Sequence, residues 1–261
     1  MKIACLGDNC IDYYDATGTA CPGGNPVNVA VYARRMGVAS AYLGAVGTDR
    51  FGDLLVRRLE EEHVDVGHVQ RLEGSTALCH VRLHDGDRIL GDYDEGVMQR
   101  FALREEDLLY LRGFDLVVTG LWGHAERYLE RIRATGTTVA FDGAERPFYP
   151  AGLIALPHTD IAFFSDDSAD DAALQEKLRA VAALGPDIVV ATRGARGSLA
   201  FDSRSFFDCP PAPCTVVDTM GAGDSYIAGF LTAWLERKSI PVCMREGARN
   251  AAVTIGYTGA W

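Results

Sequence analysis

Short apolar runs bounded by Gly or Asp alternate with segments of helical periodicity along most of the chain. Such alternation predicts a parallel sheet covered by helices, because parallel neighbours need a crossover connection and a helix is the usual one. Strands are expected over 2–7, 41–46, 115–120, 138–142, 160–164 and 188–192, several of them apolar throughout, as strands buried on both faces are. Helices are expected over 26–36, 51–62, 125–134, 172–184, 224–236 and 244–255, with Gly37, Gly136 and Gly185 placed to end three of them. One stretch breaks the rhythm. Residues 77–83 and 88–93 are extended runs around His84-Asp85-Gly86-Asp87, and an Asp-Gly pair between such runs reads as a hairpin turn. The hairpin is either a small flap beside the main sheet or an antiparallel extension of its edge. No internal repeat or low-complexity linker interrupts the pattern.

Composition narrows the chemistry. The 261 residues include 25 Lys plus Arg against 36 Asp plus Glu, a formal net charge of −11. An acidic chain without a clustered basic surface excludes a nucleic-acid groove, which needs cations to displace counterions. No apolar run approaches the ~20 residues that span a bilayer, and Gly7-Asp8 arrives too early for a signal peptide, so a soluble, cytoplasmic chain is expected. The seven cysteines, at 5, 10, 21, 79, 209, 214 and 243, form no C-x-x-C pair or zinc spacing and read as free thiols of a reducing compartment. The three lysines, Lys2, Lys177 and Lys238, complete neither a Walker loop nor a protein-kinase strand motif.

Three constellations could carry chemistry. In Asp218-Thr219-Met220-Gly221-Ala222-Gly223-Asp224-Ser225, the following Ile227, Phe230, Leu231, Trp234 and Leu235 recur at helical spacing. Gly221, Ala222 and Gly223 therefore stand at a helix N-terminus, where unpaired amides and the positive end of the dipole attract an anion. Asp224 in that first turn is ordinarily a cap. Next to a phosphoryl group, the same carboxylate is placed to take a proton from an attacking hydroxyl. Asp218 reads as a second acid or as a turn residue. In Cys21-Pro22-Gly23-Gly24-Asn25-Pro26-Val27-Asn28, Gly-Gly again enters a helix, and Asn28 can both donate and accept, as polyol recognition requires. Asp12 lies beyond the first strand, where open α/β sheets place ligand groups, or is simply a solvated loop acid. In Thr192-Arg193-Gly194-Ala195-Arg196-Gly197-Ser198, two glycines and two arginines after a strand suit a nucleotide's phosphates, or form a tight hairpin turn.

Together, Gly23-Gly24-x-x-x-Asn28-x-Ala30, Val46-Gly47-Thr48-Asp49-Arg50-Phe51-Gly52 and Asp218-Thr219-x-Gly221-Ala222-Gly223-Asp224 resemble the signatures of the PfkB (ribokinase-like) carbohydrate kinases, in the family's order over nearly the whole chain. The resemblance implies an α/β, ribokinase-like three-layer fold with a mainly parallel central sheet, one domain over residues 1–261, and a small β-sheet lid formed from about 11–21 and 77–93. It implies transfer of the γ-phosphoryl group of ATP, with Mg²⁺, to a primary hydroxyl of a small-molecule sugar or sugar-amine substrate. Carried over, Asp224 is the base, the amides of Gly221, Ala222 and Gly223 the anion hole, and Asp12, Gly24 and Asn28 sugar contacts. Thr192, Gly194 and Gly197 line the nucleotide, with Asn250 near its base. Residues 91–98, 122–126 and 257–261 are similar to a subgroup acting on sugar–amine adducts, which adds Tyr93, Glu95 and His124 to the substrate side.

Two segments depart from the family pattern. Many members carry N-x-x-E after the strand that here ends at Phe164, whereas this chain has Ser165-Asp166-Asp167-Ser168. Asp166 and Asp167 are then the carboxylates left to order metal-bound water. Asp142-Gly143-Ala144-Glu145-Arg146 matches D-x-N-x-R only in part and makes Asp142 a candidate. Another ketose, a sugar acid or a nucleoside stays open as acceptor, and the altered 165–168 segment keeps open a non-catalytic sugar- or nucleotide-binding regulator. The resemblance also implies pairing of two copies through the lid. With so few lysines, the nucleotide is expected to rest on the 221–223 amides, on Arg193 or Arg196, and on Mg²⁺.

Overall fold

The structure, a computed structural model, describes residues 1–84 and 87–261, with the side chains of residues 82–90 left aside. The chain opens with β1 (Lys2–Leu6), β2 (Cys10–Tyr14) and β3 (Thr19–Gly23), and then enters helix α1 (Asn25–Arg35). Strands β4 (Ala39–Leu43) and β5 (Ala45–Gly47) precede α2 (Arg50–Glu61), followed by β6 (Gln70–Leu72), β7 (Leu78–His84) and β8 (Asp87–Asp94). Helix α3 (Glu105–Leu111) leads to β9 (Leu116–Gly120), α4 (Leu129–Arg133), β10 (Thr138–Asp142), α5 (Pro150–Ala155), β11 (Ile161–Ser165), α6 (Asp171–Ala182) and β12 (Ile188–Thr192). Two further strands, β13 (Ser198–Phe201) and β14 (Phe206–Cys209), and helices α7 (Ala222–Leu235) and α8 (Ile240–Thr254) complete the chain.

The central sheet has eight strands in the order β14-β13-β12-β11-β10-β9-β1-β4, parallel from β4 to β12 and antiparallel at β13 and β14. Because successive side chains in a strand face opposite ways, β1 sends Ile3 and Cys5 to one face and Ala4 and Leu6 to the other. The first face packs on α1, α2, α7 and α8 through residues such as Val27, Leu55, Phe230 and Met244. The second packs on α3, α4, α5 and α6 through Leu111, Ile132, Ala155 and Leu178. Helices on both faces of a mostly parallel sheet make the expected three layers, and open α/β sheets place ligand groups at the strands' carboxyl ends.

A second sheet, β3-β2-β7-β8, stands apart from the first. The extended runs of 77–93 therefore belong to a separate four-stranded sheet, which removes the edge-extension alternative; the Asp85-Gly86 turn itself lies outside the described residues. Asp12 is correspondingly a strand residue on β2, 9% exposed, and not a solvated loop acid.

Other departures have local causes. The single strand expected over 41–46 divides at Gly44 into β4 of the central sheet and β5, which pairs with β6. A Cβ at Gly44 would lie 1.9 Å from the Tyr42 hydroxyl and 2.6 Å from the Gly7 carbonyl oxygen, so only glycine lets the chain turn away there. The helix expected over 125–134 begins as a 3₁₀ turn, Glu126–Tyr128, and becomes α-helical only at α4. Helices α3 and α5, of 7 and 6 residues, are too short to show a clear periodicity in the sequence. The segment 192–198 is also the turn between antiparallel β12 and β13, so a hairpin connection and a cavity wall coincide in it.

Candidate active site

Helix α7 starts from Gly221 in the left-handed conformation (φ 70°) and carries Asp224 in its first turn. The cap reading would turn the carboxylate back onto its own helix, yet both of its oxygens are bonded to another helix. Asp224 Oδ1 accepts from Asn25 Nδ2 at 2.7 Å and Oδ2 accepts from Asn28 Nδ2 at 2.7 Å. Both donors sit in the first turn of α1, which Gly24 (φ 106°) starts hard against the end of β1: a Cβ there would lie 2.7 Å from Asn9 Cα. Asn25 Nδ2 also donates to Asp142 Oδ2 at 2.8 Å, at the carboxyl end of β10, so one amide ties two carboxylates together. Burial pushes the Asp224 carboxyl up to about 6, and the two amides oppose that rise. Asp142 is pushed up to about 7 by burial and by the charge of Asp224.

Asp8, just beyond β1, is the third acid of this group. It accepts from the Asn25 backbone N–H at 3.3 Å through Oδ2, while its buried Oδ1 has no hydrogen bond. Burial and the Asp224 charge raise it to about 7, against the Asn25 amide and the nearby His124. His124 Nε2 is bonded to Glu95 Oε1, which links the loop after β9 to the end of the second sheet. Tyr93 on β8 is half exposed, and its hydroxyl is pushed up by burial and by Asp8, Cys10 and Glu95 around it. The Asp12 carboxylate lies against Gly23 and near Cys10 Sγ, which donates to Oδ1 at 3.5 Å. Gly24, Tyr93 and His124 thus lie around Asp8, with Glu95 bonded to His124 and Asp12 linked through Cys10. Asn28 is 4% exposed, and both ends of its amide are engaged: Nδ2 with Asp224, Oδ1 with Trp261 Nε1 at 2.7 Å.

Two cavities meet at Thr192 and Gly223. One, of about 420 Å³, runs past Asp142, Glu145, Arg146, Ser165 and Trp122. The other, of about 560 Å³, is walled by Gly194, Ala195 and Gly197, by Pro211, Ala212 and Pro213, and by Ala248, Ala251 and Ala252 of α8. Thr192, Gly194 and Gly197 line this second cavity as expected residues of a nucleotide site, whereas Asn250 does not: its Nδ2 donates to the Ser225 carbonyl at 2.8 Å. Neither arginine of the segment reaches a cavity. Arg193 is buried, donating to Ser198 O and Asp208 Oδ2, and Arg196 is held by Asp171 at 3.0 Å and by the Ser168 carbonyl. On the walls of these two cavities the arginine is Arg146, which has no side-chain hydrogen bond or ion pair among the described residues. At the α7 terminus, Ala222 N–H is taken by Thr219 O at 3.2 Å, while the amides of Gly221 and Gly223 make no backbone–backbone hydrogen bond among the described residues.

The expected metal carboxylates are likewise occupied or remote. Asp166 accepts from Lys177 Nζ at 2.9 Å and from Ser168 N–H at 3.1 Å; burial would raise it, but these bonds outweigh burial and hold it below the usual range. Asp167 is exposed and lines neither cavity. No group of three or more His, Cys, Asp or Glu among the described residues could hold a metal ion.

Asn25 and Asp8 were not singled out in the sequence. Asn25 looks like part of a turn, Gly-Gly-Asn-Pro, and its reach to Asp142 and Asp224 depends on α1 and α7 packing together on one face of the sheet. Asp8 had a positional signal, an acid directly after the first strand, in the same place that drew notice to Asp12.

Comparison with known proteins agrees with this geometry. The model of the pfkB family carbohydrate kinases matches residues 4–261. A fructoselysine 6-kinase of Shigella flexneri is 44% identical over 259 residues, 99% of each chain, and a fructosamine kinase of Bacillus subtilis is 33% identical over 265 residues, covering 100% of this chain and 93% of that one. Among solved structures, Arabidopsis thaliana ribokinase complexed with ribose and ATP superposes with a TM-score of 0.90 at 21% identity, covering 99% of this chain and 93% of that one, a likeness of fold. The chain, with its three layers, its second sheet and its Gly-Ala-Gly-Asp helix start, belongs to the pfkB family of carbohydrate kinases.

Proposed function

We propose that the protein transfers the γ-phosphoryl group of ATP to O6 of a fructosyl-amine, with fructoselysine as the acceptor. The observation that carries the reading is the Asp224 carboxylate, fixed by Asn25 and Asn28 in the first turn of α7, beside the helix-terminal amides of Gly221 and Gly223. Asp224 takes the O6 proton as that oxygen attacks phosphorus, and the amides of Gly221 and Gly223 meet the charge on the transferring oxygens. ATP lies along the 560 Å³ cavity, its base among the alanines and prolines and its phosphates toward Gly223. Arg146 and Glu145 flank the phosphate path in the adjoining cavity. Magnesium, bound to the nucleotide, supplies the remaining charge neutralisation. The second sheet covers the sugar and excludes water, so that ATP is not spent on hydrolysis.

Two features support a sugar-amine over a neutral ketose. The relatives whose names specify fructoselysine and fructosamine align over nearly the full chain. The acceptor side also gathers five carboxyls, Asp8, Asp12, Glu95, Asp142 and Asp224, against His124, and an arriving ammonium would favour the ionised forms of Asp8 and Asp142, which burial pushes up to about 7. Two copies pairing through the open edges of the second sheet, β3 and β8, would shield those edges.

A coupled ADP assay over fructoselysine, other fructosamines, fructose, ribose and adenosine tests the reading. Fructoselysine should give the highest kcat/KM, with the product phosphate on O6 by NMR and no turnover in excess chelator. Equal turnover of fructose or ribose would reject the amine specificity, and binding of sugar and nucleotide without ADP release would make the protein a regulator.

A further inference from the structure

The last residue of the chain reaches the centre of the site through one intermediary. Trp261 Nε1 donates to Asn28 Oδ1 at 2.7 Å, and Asn28 Nδ2 donates to Asp224 Oδ2 at 2.7 Å. We propose that Trp261 is a positioning residue for phosphoryl transfer: its indole N–H locks the Asn28 amide in the orientation that makes it a donor to Asp224. The inference rests on Asp224 being the base.

The chemistry of the three groups gives the lock its direction. Indole N–H can only donate, so the Asn28 atom facing Trp261 must be the oxygen, and the atom left for Asp224 is the NH₂ group. A donor at Asp224 favours the ionised carboxylate, the form that can accept a proton. Without Trp261 the amide can turn over and present its oxygen to a protonated Asp224, which stabilises the inactive form. Because Asn28 is 4% exposed, water is poorly placed to replace the indole.

The tail that carries Trp261 is itself fastened. Gly259 N–H donates to Asp218 Oδ2 at 2.7 Å, and the Ala260 carbonyl accepts from the hydroxyls of Tyr32 and Tyr257. Arg58 lies over the indole at 5.7 Å from the ring centroid. The motif acid Asp218, six residues before the base, thereby anchors the segment that orients the base. The groups facing Asp224 are Asn25, Asn28 and Tyr32 from α1, Asp142 from β10 and Asp8 from the loop after β1; Trp261 touches none of the acids directly.

The test is W261F, which keeps an aromatic ring and removes the N–H, measured with kcat, both KM values, the pH profile of kcat and a double-mutant cycle with N28A. The expected result is a kcat about tenfold lower, as for the loss of one hydrogen bond that orients a reacting group. Both KM values should stay within about twofold, and the acid limb should move up by roughly half a pH unit or more. In the N28A background, W261F should lower kcat by less than about twofold, since the path through Asn28 is already gone. An unchanged kcat and acid limb in W261F would overturn the proposal. So would losses that multiply in the double variant, the mark of a merely structural tail. D224N with nearly normal kcat would instead remove the base reading itself, whereas an inactive D224N beside an unaffected W261F removes only the relay.

Discussion

At the acceptor end of the site, polar side chains from α1, the loop after β1, β10 and α7 hold one another at fixed distances, with Asp142 and Asp224 on the side-chain amide of Asn25 and Asp8 on its backbone N–H. At the nucleotide end, the walls are glycine, alanine and proline, and the two arginines of the 192–198 segment are bound to Asp208 and Asp171 away from the cavity. The first end orients a single proton acceptor, which demands buried and directional bonds. The second holds a flat base and a chain of phosphates, for which shape and backbone amides suffice. Damage at the first end should therefore appear in kcat and in pH dependence, and damage at the second in KM for ATP.

The largest expected effect is that of D224N, which keeps the side chain's size, removes the base and leaves one of the two donor amides facing an NH₂ group: kcat should fall by roughly 10² or more, with KM for sugar and ATP nearly unchanged. N25A comes next. Without that amide Asp224 loses a donor and faces the Asp142 charge directly, so its pKa rises and a larger fraction is protonated at a given pH. Steady-state assays should show kcat about tenfold lower at pH 7, with part of the loss recovered at higher pH. At the other end, A252F fills part of the apolar cavity and should raise KM for ATP by roughly tenfold, one methylene-scale clash or more, while kcat at saturating ATP stays within about twofold. The smallest effect belongs to R196A: its guanidinium is bonded to Asp171 and Ser168, so KM for ATP should change by less than about twofold. A large rise in that KM would restore the arginine to the phosphate site and blur the contrast between the two ends.

The order of layers was legible because buried parallel strands and crossover helices leave distinct patterns, and β1, β9, β10, β11 and β12 fall where the apolar runs lie. The helix start at Gly221 and the importance of Asp224 were legible from a local motif. What the chain order hides is contact across the fold. Asn25 and Asp142 are far apart in sequence, as are Asn28 and Trp261, and only the packing of α1 against the sheet and α7 brings them together. Arginine commitment is hidden in the same way. A Gly-rich segment with Arg193 and Arg196 suggests phosphate binding, but the antiparallel return of β13 and β14 supplies Asp208, and α6 supplies Asp171, as nearer partners. The change of sheet at Gly44 was marked by one glycine in an apolar run, too small a signal to separate from an ordinary strand residue.

The role of Asp224 is tested most directly by kcat/KM for fructoselysine as a function of pH, in the wild-type protein and in D224N. The wild type should lose activity as pH falls through about 6, where burial places the Asp224 carboxyl against the pull of its two amides. D224N should be slower by roughly 10² or more and should lack that limb, because the carboxyl that titrates there is gone. The same acid limb in D224N, at a rate near that of the wild type, would contradict the account.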